Sequence, residues 1–283
     1  PSSPDNVDLT PDPVEVTVGA SETATVDDAA FRRVVEQTRK LVESDEVLLV
    51  FQPLGTPGNT AVAKYLISKR VPAIAIVSGS NRFTDVADFP LTTTSLVSFD
   101  TEGKIYAKFL TKTLPNSKYA ILYQNDDLGK DYVNAFKAIL KSDFDKKVTA
   151  IAYEVSDPTV DSQVVNLKSS GAEAFLVAGT PKFAAQAIRK AAEIGWKPAI
   201  LLNYPSSSVG ATLKPAGLER ATGVMVGTNL MDPTDAQWDN TEGMKNYRTF
   251  IDKYMPGADL AGVLGGLAEG VVDEESDVLP PGG

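Results

Sequence analysis

Short runs of β-branched and aliphatic residues alternate along the chain with longer stretches whose apolar positions recur three and four residues apart. The short runs predict strands at Val14–Val18, Val47–Phe51, Ala73–Val77, Tyr119–Tyr123, Val148–Val155, Ala174–Ala178, Ala199–Leu202 and Val224–Thr228. The stretches between them predict helices. In Ala29–Glu43 the positions Val34, Val35, Thr38, Leu41 and Val42 share one face, and Thr25 followed by Asp28 has capping-box spacing before it. Further stripes are Val62, Tyr65 and Leu66, then Ile105, Phe109 and Leu110, then Val133, Phe136 and Ile139. Lys182–Ile194 is the clearest helix, with Gly195 placed to end it. Strands that alternate with helices imply βαβ units, parallel sheets and an α/β fold.

Composition narrows the chemistry. The 283 residues suffice for two domains at about 150 residues each. A net charge of −10 argues against a nucleic-acid partner, which demands Lys and Arg to neutralise phosphates. No apolar run approaches the roughly 18 residues of a membrane span, so the chain is not expected to cross a bilayer. No charged-then-apolar leader opens it, and any export signal is expected to have been removed. Cys and His are both absent, which excludes thiol nucleophiles, disulfides, histidine bases and His- or Cys-ligated zinc. Pro1–Pro13, rich in Pro, Ser and Asp, and the acidic Val271–Gly283 read as poorly ordered tails.

In an open α/β sheet, ligands bind beyond the carboxyl ends of the strands, where helix N-termini point free N–H groups. Five such corners are legible: Gln52–Thr60, Ser78–Asn81, Gln124–Gly129, Gly179–Pro181 and Asn203–Ser208. Ser, Thr, Asn and Gly dominate them. Together with backbone amides they form neutral donor clusters suited to a carboxylate. The same residues are also favoured simply as helix caps, so only convergence of several corners would make a site. Enzyme motifs fail: there is no G-x-G-x-x-G after an early strand, no P-loop around Gly129-Lys130, and no G-x-S-x-G elbow. Gly262-Val-Leu-Gly265-Gly266 has the wrong spacing and no strand before it. Asp126-Asp127 and Asp157–Asp161 read as solvated turn and cap residues rather than paired acids or a metal site. The chain is not expected to be an enzyme, and no cofactor is expected.

Longer strings carry a resemblance. Val34–Glu43, Pro53–Pro57, Leu122–Tyr132, Asp157–Val165 and Thr180–Pro198 resemble the type I periplasmic solute-binding proteins of ABC importers, in the branch named for leucine/isoleucine/valine binding. The similarity is dense from Val34 to Pro256, roughly four fifths of the chain. It implies two doubly wound parallel-sheet lobes joined by a hinge, closing over a ligand in the cleft between them. By analogy, residues 1–98 and 226–283 form lobe I and residues 99–225 form lobe II. It also implies a periplasmic or extracellular, membrane-tethered location. The chain would be a monomer without a cofactor, delivering a small-molecule carboxylate ligand to an ABC-type membrane permease.

Carried over by position, the ligand contacts fall on Gly55, Thr56, Ser78, Gly79, Ser80 and Asn81 in lobe I, and on Phe99, Leu128, Thr180, Tyr204 and Ser206 in lobe II. Amino-acid binders of the family place acidic residues at the hinge and in the fifth corner to hold the ligand ammonium. Here those positions resemble Phe99 and Ser206–Ser208. A buried ammonium without an anion is costly, which favours a non-zwitterionic aromatic or branched aliphatic acid over a branched-chain amino acid. The ends depart from the family: Pro1–Pro13 shows neither its first strand nor its first helix, and Leu264-Gly-Gly266 stands where an aromatic helix start is implied. These departures lead to the expectation of a truncated or spliced chain that lacks the third hinge crossing. A sensory or regulatory domain of the same fold is the alternative function. No DNA-binding helix pair or membrane span is legible to serve as its output.

Overall fold

The computed structural model describes residues 15–18, 22–25, 29–228, 231–258 and 260. Both expected tails, the Asp28 half of the capping box and the Gly262–Gly266 segment lie outside them. Packing divides the chain into two compact units. Unit 1 comprises Pro1–Phe109, Asn125–Lys141 and Glu154–Ser156, and unit 2 comprises Leu110–Gln124, Ser142–Tyr153 and Asp157–Gly283. Packing, not chain order, sets these limits, since one helix is divided after Phe109.

Strands β1 (Glu15–Val18) and β2 (Glu22–Thr25) pair antiparallel. Helix α1 (Ala29–Arg39) runs into a π-turn over Lys40–Ser44, so the single helix expected over Ala29–Glu43 changes pitch near its end. The core of unit 1 is a parallel sheet of β3 (Val50–Phe51), β4 (Ala73–Ile76) and β5 (Thr92–Thr94), in that order. Strand β3 is shorter than expected at its start, because the Val47 N–H returns to the Leu41 carbonyl at 3.1 Å and pairing with the next strand begins only at Val50, whose N–H donates to the Pro72 carbonyl at 2.8 Å. Between β3 and β4 lies α2 (Thr56–Ser68), whose expected stripe Val62, Tyr65 and Leu66 is buried against Ile76 and Phe83.

Helix α3 (Phe99–Thr113) forms where expected but turns a different face inward. Of the expected stripe, Leu110 is buried but Ile105 and Phe109 are 56% and 41% exposed, while Glu102, Tyr106 and Ala107 are buried instead. Gly103 is the reason. A Cβ there would stand 2.7 Å from the Ala135 Cβ and 3.2 Å from the Tyr132 Cα of α4 (Asp127–Leu140). The glycine lets two helices meet at their backbones, and that contact fixes the rotation of α3.

Unit 2 is built on five parallel strands. These are β6 (Tyr119–Gln124), β7 (Val148–Tyr153), β8 (Ala174–Ala178), β9 (Ala199–Leu202) and β10 (Met225–Val226), in the order β10-β9-β8-β6-β7. All five positions of β8 are buried, as a continuous apolar run in a parallel sheet requires. A one-turn helix, α5 (Phe144–Lys147), precedes β7, and α6 (Asp161–Ser169) and α7 (Pro181–Glu193) join the next strands. Phe183, Ala184, Ala187, Ile188 and Ala191 of α7 enter the same core as Phe175 and Val177. Gly195, at φ 66°, ends α7 as expected, since its left-handed backbone suits glycine. The short α8 (Lys214–Ala216) and then α9 (Glu242–Tyr254) follow, α9 burying Met244, Tyr247 and Ile251.

Candidate functional site

Six of the expected contacts lie on two neighbouring turns of unit 1, at the carboxyl ends of β3 and β4. Gly55 has φ 98°, a conformation that favours glycine, and its N–H donates to the Val77 carbonyl at 3.1 Å. It stands as the N-cap of α2 and offers no side chain, and Pro57 lacks an N–H. The first-turn amides of α2 therefore have no side-chain cap. The Thr56 and Ser78 hydroxyls lie 2.7 Å apart, and both residues are buried. Ser78 Oγ also accepts the Ser80 N–H at 3.2 Å, and Ser80 Oγ accepts the Arg82 N–H at 3.3 Å. A chain of hydroxyls and amides thus runs from Thr56 through Ser78 to Ser80.

Gly79 lies in the same turn for a reason of space. A Cβ there would overlap the Val97 carbonyl oxygen and stand 2.7 Å from the Phe99 ring. Phe99 N–H donates to the Gly79 carbonyl at 2.8 Å, and the Phe99 ring stacks on Tyr132 with centroids 5.5 Å apart. At 1% exposure, Phe99 is a wall of this unit. Leu128, in the first turn of α4, is buried in the same unit.

Asn81 is exposed, but its backbone amide is taken by α4: the N–H donates to Asp131 Oδ2 at 3.0 Å. The adjacent Arg82 guanidinium engages Asp127 through two contacts, Nη2 to Oδ1 at 3.2 Å and a closer one from Nε to Oδ2. Burial lifts the Asp131 carboxyl from 3.8 to about 6; the Asn81 amide lowers it, and Asp127, Asp100 and Asp126 raise it further. The folded chain therefore binds this proton more tightly than the unfolded chain. Its contribution to stability is most favourable below about pH 4 and is lost as pH rises through about 6. Asp131→Asn keeps an acceptor for the Asn81 N–H and removes the charge. It should melt above the wild type near neutrality, with the difference disappearing below about pH 4, in thermal melts across the range. A variant that melts lower at neutral pH would contradict this.

The remaining contacts lie in unit 2, at the carboxyl ends of β8 and β9. Ser206, fully buried, donates through Oγ to the Gly179 carbonyl at 2.8 Å, and the Thr180 N–H donates to the Tyr153 hydroxyl at 3.3 Å. Gly179 admits no side chain, because a Cβ would overlap that hydroxyl. Half-buried Tyr204 opens a 3-10 turn over Tyr204–Ser206, and the Ser206 N–H returns to the Asn203 carbonyl at 2.9 Å. Asn203 is fully buried, and neither polar atom of its side chain has a partner among the described residues.

Sequence reasoning placed Asp126-Asp127 among turn and cap residues. Asp126 does cap α4, accepting the Gly129 N–H at 3.3 Å, whereas Asp127 pairs with Arg82. Asp161 pairs with Lys190 at 3.3 Å and Asp157 accepts from Gln163 at 3.4 Å. Asp131 was missed altogether; its only signal is the i, i+4 spacing from Asp127 at a helix start. Among the described residues, no three acidic side chains are grouped to hold a metal, and no helix is long and apolar enough to cross a membrane. A groove of about 380 Å³ in unit 2 is lined by Asp161, Gln186, Arg189, Lys190, Glu193 and Arg220, with none of the expected contacts among its walls.

Comparison with known proteins places this architecture. A substrate-binding periplasmic protein from Ralstonia solanacearum matches with a TM-score of 0.71 at 21% identity, over 84% of this chain and 67% of that one. A branched chain amino acid ABC transporter protein from Thermus thermophilus, with bound valine, matches with a TM-score of 0.71 at 13% identity, over 87% and 62%. A fatty acid ABC transporter substrate-binding protein from Thermomonospora curvata matches with a TM-score of 0.66 at 17% identity, over 84% and 60%. The chain thus spans about two thirds or less of the length of these proteins. No curated protein matches it. A family model described as periplasmic binding protein matches residues 27–267. With that match over most of its length and two parallel-sheet α/β units of the type I fold, the chain belongs to the periplasmic binding protein family, whose members bind solutes rather than act as enzymes.

Proposed function

We propose that the chain binds a small carboxylate-bearing solute, an aromatic or aliphatic acid or a branched-chain amino acid, and delivers it to an ABC-type membrane permease from the periplasm or the outer face of a cell. The donor patch of unit 1 carries this reading. Thr56 and Ser78 hydroxyls 2.7 Å apart lie beside the uncapped start of α2, a 13-residue helix, and supply several neutral donors within one turn of each other. Helix N-termini and clustered hydroxyls favour an anion, and in a site that excludes water a few such bonds hold an acid group firmly. Valine and fatty acids, the solutes of two similar proteins, both carry a carboxylate. At the corner of Thr180, Tyr204 and Ser206, the buried Asn203 side-chain amide has no partner among the described residues, and a bound solute could satisfy it.

A thermal-shift screen of branched-chain amino acids against aromatic and aliphatic acids tests the reading. A solute at 100 times its dissociation constant should stabilise by about 2.7 kcal/mol, several degrees for a domain of this size. Absence of a shift with any acid, or consumption of the solute on incubation, would overturn it.

A further inference from the structure

The groove of about 380 Å³ in unit 2 contains none of the residues that carry the solute reading. One face of α7 lines it. Gln186, Arg189, Lys190 and Glu193 recur on that face three and four residues apart, while Phe183, Ala184, Ala187, Ile188 and Ala191 enter the core. Such a polar stripe is ordinarily a solvated helix surface. Here its side chains are tied to the elements on either side. Gln186 Nε2 donates to the Pro158 carbonyl, just before α6, at 3.2 Å. Arg189 Nη1 donates to the Pro215 carbonyl of α8 at 2.9 Å. Lys190 stands between Asp161 of α6 at 3.3 Å and Glu193 at 3.4 Å. Arg220, after α8, lies over Gly217: a Cβ on that glycine would stand 3.6 Å from its Cδ and 3.8 Å from its Nη1.

The charges of this groove are unevenly matched. Asp161 and Glu193 both pair with Lys190, whereas neither Arg189 nor Arg220 forms an ion pair among the described residues. Two guanidinium groups therefore face one groove, in a chain of net charge −10. Both are exposed, so an ion in solution can reach them. A guanidinium presents a planar fork of N–H groups that matches the oxygens of a carboxylate or a phosphoryl group, and the Pro215 contact holds the Arg189 fork in place beforehand. We propose that the groove is a second binding site, for a small molecule bearing two acid groups, with Arg189 holding one and Arg220 the other. Its volume is that of a site for a compact ligand. Carboxylate and phosphoryl oxygens share the required chemistry. The inference goes beyond the solute reading and does not depend on it.

Calorimetric titration of the whole chain at low ionic strength tests the site, with succinate and diphosphate as probes and acetate as the control with one acid group. At least one probe should bind, at least tenfold more tightly than acetate, and which of them does so identifies the acid as carboxyl or phosphoryl. Arg189→Gln and Arg220→Gln should each lose about ten- to hundredfold in affinity for that probe, as removal of a charged hydrogen-bond partner does, with melting curves as the control for folding. Glu193→Gln should tighten binding about two- to fivefold by removing an acid from the rim, a gain that misfolding cannot produce. Raising the salt from about 0.01 to 0.15 M, across which the screening length falls from about 30 to 8 Å, should weaken binding. Absence of saturable binding of both probes would overturn the inference. So would acetate binding as tightly as the probes. Affinity unchanged in both arginine variants would place the anion elsewhere, the Thr56 and Ser78 corner included, and would overturn it while leaving the solute reading standing.

Discussion

Gly79→Ala is expected to lower the stability of unit 1 by about 3 kcal/mol or more, at the upper end of what overpacking a core does. The added methyl would overlap the Val97 carbonyl oxygen, which is backbone, and press within 2.7 and 2.8 Å of two Phe99 ring carbons. Neither neighbour can yield cheaply. Phe99 is 1% exposed and stacked on Tyr132, and its N–H is bonded to the Gly79 carbonyl itself. At about 2–4 °C per kcal/mol, the melting temperature should fall by about 6–12 °C. Ser80→Ala is the control: it removes one hydroxyl that accepts the Arg82 N–H and should cost only about 1 kcal/mol. If Gly79→Ala melts within a degree or so of the wild type, the turn has room that the structure denies it.

The second large effect belongs to unit 2. Phe175→Ala should destabilise by about 3–5 kcal/mol, the range for emptying an aromatic position in a core. Phe175 is fully buried in the middle strand of the five, with its ring 4.7 Å from that of Trp196. Trp196 is itself pinned, its indole N–H donating to the Ala172 carbonyl at 3.1 Å, so it cannot swing in to fill the space. Urea unfolding should show a lower midpoint with an unchanged slope. A loss below about 1 kcal/mol would mean that the site collapses around the alanine, against the close packing described above.

How legible each element was in the sequence follows from how many of its neighbours are apolar. The limits of β8 and β9 match expectation to the residue, and α7 matches to within one, because a strand buried on both faces is a continuous apolar run and the helix covering it carries a clean stripe. Strand β5 was missed. Thr92–Thr94 has no apolar alternation and is held through backbone pairing and the Thr93 hydroxyl, which accepts the Ala75 N–H at 2.8 Å. The face of α3 was misjudged because the large apolar residues Ile105 and Phe109 drew the stripe, whereas Gly103, with no side chain, decided the packing. At the candidate site the hydroxyl and glycine positions were legible as helix-start chemistry. The Asp131 contact was not, because an acid four residues after Asp127 is an ordinary feature of a solvated helix start and does not record that Asn81 lies opposite it.

By itself the sequence determined the α/β alternation, the strands of the larger sheet, the absence of thiol and imidazole chemistry and the placement of donor-rich turns after strands. Each of these depends on local propensity or on residue identity, which a linear string contains in full. Only the tertiary structure decided that Phe99 closes over Gly79, that Gly103 sets the helix pair, and that an acid from α4 reaches the Asn81 amide. Those contacts join residues 20 to 50 positions apart along the chain. Which partner a polar or small residue meets at such separations depends on how whole elements pack, and no local pattern records it.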